Sequence, residues 1–206
     1  MSYKKINLFV NAVTQNGALI LFDENNKIIS QKNIKILGNE SSKLTIFIDE
    51  FLKENKITYF DLENLVVVNG PGSFTGVRTI VLAVNTINFI IDKNITSLSF
   101  FDLFENYPII KSSSKRDLFV KYKKCDIIQI VKNDDFINSL STEGFSPLQI
   151  KEKLIYGDIS NNLISERIKV NSEINYKKII NSIIFQENKL IEPLYIKKPN
   201  IFIKQK

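Results

Sequence analysis

Three apolar-rich runs open the chain, Ile6 to Ala12, Gly17 to Phe22 and Lys27 to Ile36, and each reads as a β-strand. Val13-Thr14-Gln15-Asn16-Gly17 joins the first two and Asp23-Glu24-Asn25-Asn26 the second pair, both with turn chemistry, so a β-meander is predicted. Beyond it Leu44, Phe47, Ile48, Phe51 and Leu52 repeat at helical spacing behind Ser41, a candidate N-cap, and predict a helix running to about Asn55. Leu65 to Val68 is a short unbroken β-branched run of the kind buried on both faces of a parallel sheet. It ends in Asn69-Gly-Pro-Gly-Ser-Phe-Thr-Gly76, after which Val77 to Asp92 has helical length; Ile95 to Leu98 reads as a strand and Phe100 to Tyr107 as a short amphipathic helix.

The resulting order, β-β-β-α-β-α-β-α, is a meander feeding right-handed crossovers onto a mixed sheet. A second half repeats the theme less regularly. Pro108 to Ser112, Leu118 to Tyr122 and Ile127 to Val131 read as three more strands, Asn133 to Pro147 as a long loop, and Leu154 to Gly157 as a strand. Tyr176, Ile179, Ile180, Ile183 and Ile184 form a helical stripe read as core, and the tail after Pro193 reads as extended. Two halves that each begin with about three strands imply a duplicated α/β lobe, divided here as residues 1–107 and 108–206, although no residue repeat is recognisable.

The helix after the glycine-rich segment is apolar on two sides. Val77, Ile80, Val81, Val84, Ile87 and Ile91 make one face, Leu82, Ala83, Phe89 and Ile90 fall largely on the other, and Arg78, Asn85 and Asp92 form a thin polar line. A helix lying on one sheet needs a single stripe, so either another element of the chain or a partner protein covers the second side.

Composition narrows the chemistry. With 206 residues, 44% hydrophobic and 24% charged, the chain is of ordinary globular make-up, and its net charge of +6 is carried by lysine with few arginines. Histidine is absent, which removes imidazole bases and His-ligated metals, and the lone Cys125, read as a small core or half-exposed thiol, cannot form an internal disulfide. The apolar stretch near the N-terminus is too short for a signal peptide, and Val77 to Ile91, interrupted by Arg78, Asn85 and Asn88, reads as falling short of a membrane span; a soluble cytoplasmic protein is expected.

Gly70, Pro71, Gly72, Ser73, Phe74, Thr75 and Gly76 lie between a buried strand and a helix, where free backbone N–H groups can cradle an anion. The plainer reading is a tight turn with Ser73 or Thr75 as N-cap, and with Gly72 and Gly76 permitting angles or approaches that a Cβ would hinder. No lysine-hydroxyl pair follows the last glycine, so this is not a Walker loop, and the dinucleotide spacing is missing as well.

The run Asn69-Gly-Pro-Gly-Ser-Phe-Thr-Gly-Val-Arg78 closely resembles the G-x-G-P-G-S-F-T-G-[LV]-R signature of the bacterial TsaB (YeaZ) family of tRNA threonylcarbamoyladenosine biosynthesis. Ser41 to Leu52 is similar to the family's first helix, Asp61-Leu62-Glu63-Asn64-Leu65 precedes the strand as in the family, Glu192-Pro-Leu-Tyr-Ile-Lys-Lys-Pro199 resembles its E-P-x-Y-L-R-x-P segment, and Gly157-Asp158 its G-D-G turn. Residues 120 to 175 match poorly. The resemblance implies an actin-like fold of duplicated RNase-H-type α/β lobes with mixed sheets and a reduced second lobe. It implies a non-catalytic subunit that binds and supports TsaD in a complex with the ATPase TsaE and reaches tRNA through that complex; no cofactor or metal is expected, and a homodimer is the assembly left open for the unpartnered chain. The helices from Ser41 to Asn55 and from Gly76 to Asp92 would be its docking surface, with Ile46, Arg78, Leu82, Val84, Asn85 and Phe89 as candidate contacts.

This chain departs from the family pattern where Asn11-Ala12-Val13 replaces the usual Asp-Thr-Ser, where Asn39-Glu40-Ser41 replaces Arg-His-Ser, and where Ile80, Leu82 and Thr86 replace small residues. The first change removes the carboxylate and hydroxyls that a phosphate-metal site would want. An autonomous nucleotide-binding ATPase or phosphotransferase using the glycine loop is the alternative reading. Direct tRNA binding through Lys121, Lys123, Lys124, Lys197, Lys198, Lys204 and Lys206 is a third.

Overall fold

A computed structural model of the chain describes residues 5–36, 43–114, 116–141, 154–159 and 170–196. The opening meander forms as β1 (Ile6–Asn11), β2 (Asn16–Asp23) and β3 (Ile28–Lys35), each antiparallel to the last. On the other flank of β1, β4 (Leu62–Val68) and β5 (Asn94–Leu98) add in parallel, giving the order β3-β2-β1-β4-β5. The crossovers are α1 (Leu44–Glu54) and α2 (Phe74–Ile91).

A second sheet holds β6 (Ile109–Ser112), β7 (Asp117–Lys121), β8 (Gln129–Lys132), β9 (Ile155–Asp158) and β10 (Val170–Asn171) in the order β10-β9-β6-β7-β8. Here β6-β7 and β7-β8 are antiparallel while β6-β9 and β9-β10 are parallel. Counted from its own first strand, each sheet therefore has the same order and the same mixture of directions. The duplication lives in the topology, and among the described residues the second copy has the shorter strands, the longest having 5 residues against 8 in the first.

Alternation along the strands builds the layers. In β1, β2 and β4 the side chains of Leu8, Val10, Leu19, Leu21, Leu65 and Val67 point to α1 and α2 and pack with Ile48, Phe51, Ile80 and Val84. Phe9, Ile20, Phe22, Val66 and Val68 point the other way, into a second core with Phe100, Phe101, Ile109, Phe119, Ile179 and Ile180. This second core joins the two sheets. On the far side of the second sheet, Ile110, Leu118, Val120 and Ile155 close over Phe136.

Several expectations are corrected. The expected loop begins as a helix, α3 (Asn133–Ser141), because Phe136 is wholly buried and, with Ile137 packed beside it, anchors the segment against the second sheet; residues 142–147 lie outside the described residues. Phe100 to Tyr107 yields only a 3-10 turn, Phe100–Leu103, capped by Ser99 and Asp102. The isoleucine stripe gives α4 (Tyr176–Asn181), whose Ile179 and Ile180 are core whereas Ile184, beyond its end, is 85% exposed. Cys125 is exposed. With 18 residues and a mean hydropathy of 1.5, α2 is long and apolar enough to cross a membrane, contrary to the expectation that it falls short; only part of that hydropathy goes into packing, through the buried Val77, Ile80, Val81, Val84 and Ile91. Ser41 and Lys197, Lys198, Lys204 and Lys206 lie outside the described residues.

Candidate functional site

The glycine-rich loop links β4 to α2 and is fastened from three directions. Ser73, extended at ψ 137°, is the N-cap, its Oγ accepting from the Gly76 N–H at 3.1 Å; Thr75 does not cap, but its carbonyl accepts from Thr79 Oγ1 at 2.9 Å. Gly70 O accepts from the Phe100 N–H at 2.6 Å, and Asn69 receives the segment that follows α4, its carbonyl accepting from Leu194 N at 2.9 Å and its Nδ2 donating to Glu192 O at 2.9 Å. The Phe74 ring packs against Tyr195 with centroids 5.1 Å apart and planes tilted by 30°, and the Arg78 guanidinium lies 4.9 Å over Phe74. Two sequence segments that resemble one family, at 69–78 and 192–195, thus meet in one place.

From residue 185 to 196 the chain forms a strap along β5 and α2. Ile95 N donates to Asn188 O at 2.7 Å, so the strap covers the outer edge of β5. Asn85 grips it as a backbone would, donating to Ile191 O at 2.9 Å and accepting from Ile191 N at 3.1 Å. Asn88, buried, donates to Lys189 O at 2.9 Å and to Lys93 O at 2.8 Å.

These bonds answer which element covers the second side of α2. The strap takes the asparagine line, and the rest is bare: Leu82 is 68% exposed, Phe89 88%, Ile90 67% and, on neighbouring α1, Ile46 55%. Arg78 and Thr86 are exposed on the same helix. Val84 is corrected, because it points into the core and cannot meet a partner; so is Asn85, whose amide is committed to the strap; and Ile80, also core, imposes no bulk on a docking surface. Ile90 belongs with the exposed candidates, and its place beside Phe89 on the outer arc was the signal.

Asn11, at the position where an acid was missed, is wholly buried. Its Nδ2 donates to Thr14 Oγ1 at 3.0 Å and to Tyr176 Oη at 2.9 Å, while its Oδ1 accepts from Val13 N at 3.2 Å. Burial pushes the Tyr176 phenol up, opposed by the Asn11 donor. Among the described residues no group of three or more His, Cys, Asp or Glu is placed to hold a metal ion.

The family model for TsaD, tRNA N6-adenosine threonylcarbamoyltransferase, matches residues 38–103, which include α1, the glycine loop and α2. A curated relative, the uncharacterized protein MG208 homolog of Mycoplasma pneumoniae, is 29% identical over 77 residues, 37% of this chain and 39% of that protein, so the chain matches well under half the relative's length. Among solved structures, an uncharacterized Pseudomonas aeruginosa protein with similarity to peptidase YEAZ superposes with a TM-score of 0.65 at 13% identity, over 94% of this chain and 100% of that one. YeaZ from Pseudomonas aeruginosa superposes with a TM-score of 0.61 at 13% identity, over 93% and 100%. The fold of this chain is therefore that of the YeaZ proteins, the duplicated actin-like pair of mixed α/β lobes expected from the resemblance.

Proposed function

We propose that the chain is a TsaB-type accessory subunit that docks on a TsaD-type transferase through the outer faces of α2 and α1 and supports threonylcarbamoyladenosine formation on tRNA without chemistry of its own. The observation that carries this reading is the exposure of the large apolar side chains Leu82, Phe89 and Ile90 on α2 and Ile46 on the neighbouring α1, helices whose inner sides are core. A helix half in its own core and half apolar to water is the pattern of a surface held for a protein partner. The YeaZ fold and the TsaD family match over both helices support the choice of partner. A TsaE-type ATPase would join the same cytoplasmic complex, and tRNA would be reached through it.

Leu82→Asp and Val84→Asp test the assignment, each followed by thermal unfolding and by association with the TsaD of the same organism. Leu82→Asp is expected to melt like the parent yet lose roughly 2–4 kcal/mol of binding, since it buries an unpaired charge at the interface. Val84→Asp is expected to unfold the chain. A folded Leu82→Asp protein that binds TsaD like the parent sinks the proposal; a parent that dimerises through Leu82 and never binds TsaD puts a second copy in the partner's place. For the alternative, an autonomous ATPase or phosphotransferase, the Asn11 geometry offers no free acid, and metal-dependent ATP turnover abolished by Gly72→Val would be needed to revive it.

A further inference from the structure

In β6 the buried face carries one charge, Lys111, only 4% exposed. Its register partner on β9 is Asp158, with Nζ 3.2 Å from Oδ2. Each member of this pair also reaches the first lobe. Lys111 Nζ donates to Val13 O at 2.9 Å, and Asp158 Oδ2 accepts from Gln15 N at 3.2 Å, so the β1–β2 turn offers one acceptor and one donor to match the pair. The Phe100 ring lies 4.5 Å from Nζ, and Gly72 backs the lysine stem, since a Cβ there would stand 3.9 Å from Cε.

Taking both charges from water is costly, and a buried pair does not repay that cost against apolar filling unless its remaining hydrogen bonds are met. Here a backbone group of the opposite lobe supplies one such bond to each member of the pair. An ammonium and an inward-turned backbone N–H converging on one oxygen are the components of an anion site. We infer that the crevice between the two sheets contains a site for a carboxylate-sized anion, and that the chain fills it with its own Asp158, latching the lobes together. An external anion finds the place taken. None of these residues lies on α1 or α2, so the inference stands apart from the docking surface.

Asp158→Ala empties the site while leaving Lys111 Nζ and Gln15 N in place. Thermal unfolding of the full chain is followed in sodium formate and in sodium chloride at equal ionic strength, formate being the probe that replaces the lost carboxylate. The parent is expected to melt equally in both salts. Asp158→Ala should melt several degrees lower in chloride and regain a good part of the loss in formate. Asp158→Asn, whose amide still fills the space, and the double variant Lys111→Met with Asp158→Ala, which lacks the cation, should show no formate effect. Should Asp158→Ala fail to fold in chloride, recovery of a cooperative transition in formate supports the inference and failure in both salts overturns it. A formate response of equal size in Asp158→Ala, Asp158→Asn and the double variant marks a general salt effect, and no response in Asp158→Ala leaves no anion site; either result overturns the inference.

Discussion

A methyl group at Gly70 would stand 2.8 Å from Leu194 O, at a residue whose φ of +131° L side chains rarely adopt. One at Gly72 would stand 2.9 Å from Val77 Cγ2 and 3.3 Å from Val13 Cγ1, crowding that side chains can relieve. Gly70→Ala is therefore expected to cost more than Gly72→Ala, with the former in the range of about 1–3 kcal/mol, in urea denaturation of the two variants side by side. A larger loss at Gly72 would mean that the loop is pinned by α2 and not by the strap. The sequence points to Gly72 and Gly76 as places where the backbone angles or a close approach exclude a Cβ, and the close approach is found at Gly72. The positive angle falls at Gly70, where Leu194 lies close by, and a contact made by a segment so distant leaves no local mark. Lys111 was overlooked for a similar reason: its partner Asp158 is 47 residues away.

The elements β1 to β5, α1 and α2 were readable, β1, β2 and β4 as near-continuous apolar runs because both of their faces meet a core, and α1 and α2 because one face recruits apolar residues at helical spacing. Of the strap, the sequence shows an extended stretch after Pro193 and the family-like segment from Glu192, but not the fastening of residues 185–191. That stretch is held through its backbone, by the side chains of Asn85 and Asn88 and by Ile95 N, so its own residues need no pattern. Helix α3 escaped because it is short and its apolar residues are few, with Phe136 wholly buried and Ile137 packed beside it. Removing an amide that carries two backbone partners should release the strap locally, so Asn85→Ala is expected to raise amide exchange at Ile191, an opening eased by roughly 1–3 kcal/mol, while exchange in β1 and β4 stays slow. Unchanged protection at Ile191 would show that Ile95 and Asn69 suffice to hold the strap.

Across the molecule, the two lobes share a core and a charge pair, and the second makes stability respond to pH. Burial pushes the Lys111 ammonium below its ordinary 10.5, against the pull of Asp158. The unfolded chain then binds the extra proton between the folded value and 10.5, so this group makes stability rise with pH through that interval and fall as pH drops across it. Lys111→Met should flatten the slope. The comparison belongs below pH 10.0, above which buried phenols such as Tyr176, raised from that value, act with the opposite sign. Equal slopes in parent and variant would show that Lys111 titrates as it does in water.

The covering of β5 by the strap also bears on synthesis. Ser97 and Gln186, which meet there, are separated by 89 positions, so a ribosome that has just released β5 has yet to make the segment that closes its edge. In that interval the strand's open N–H and C=O groups are a template for pairing with other nascent chains, and the first lobe, though encoded first, is completed late.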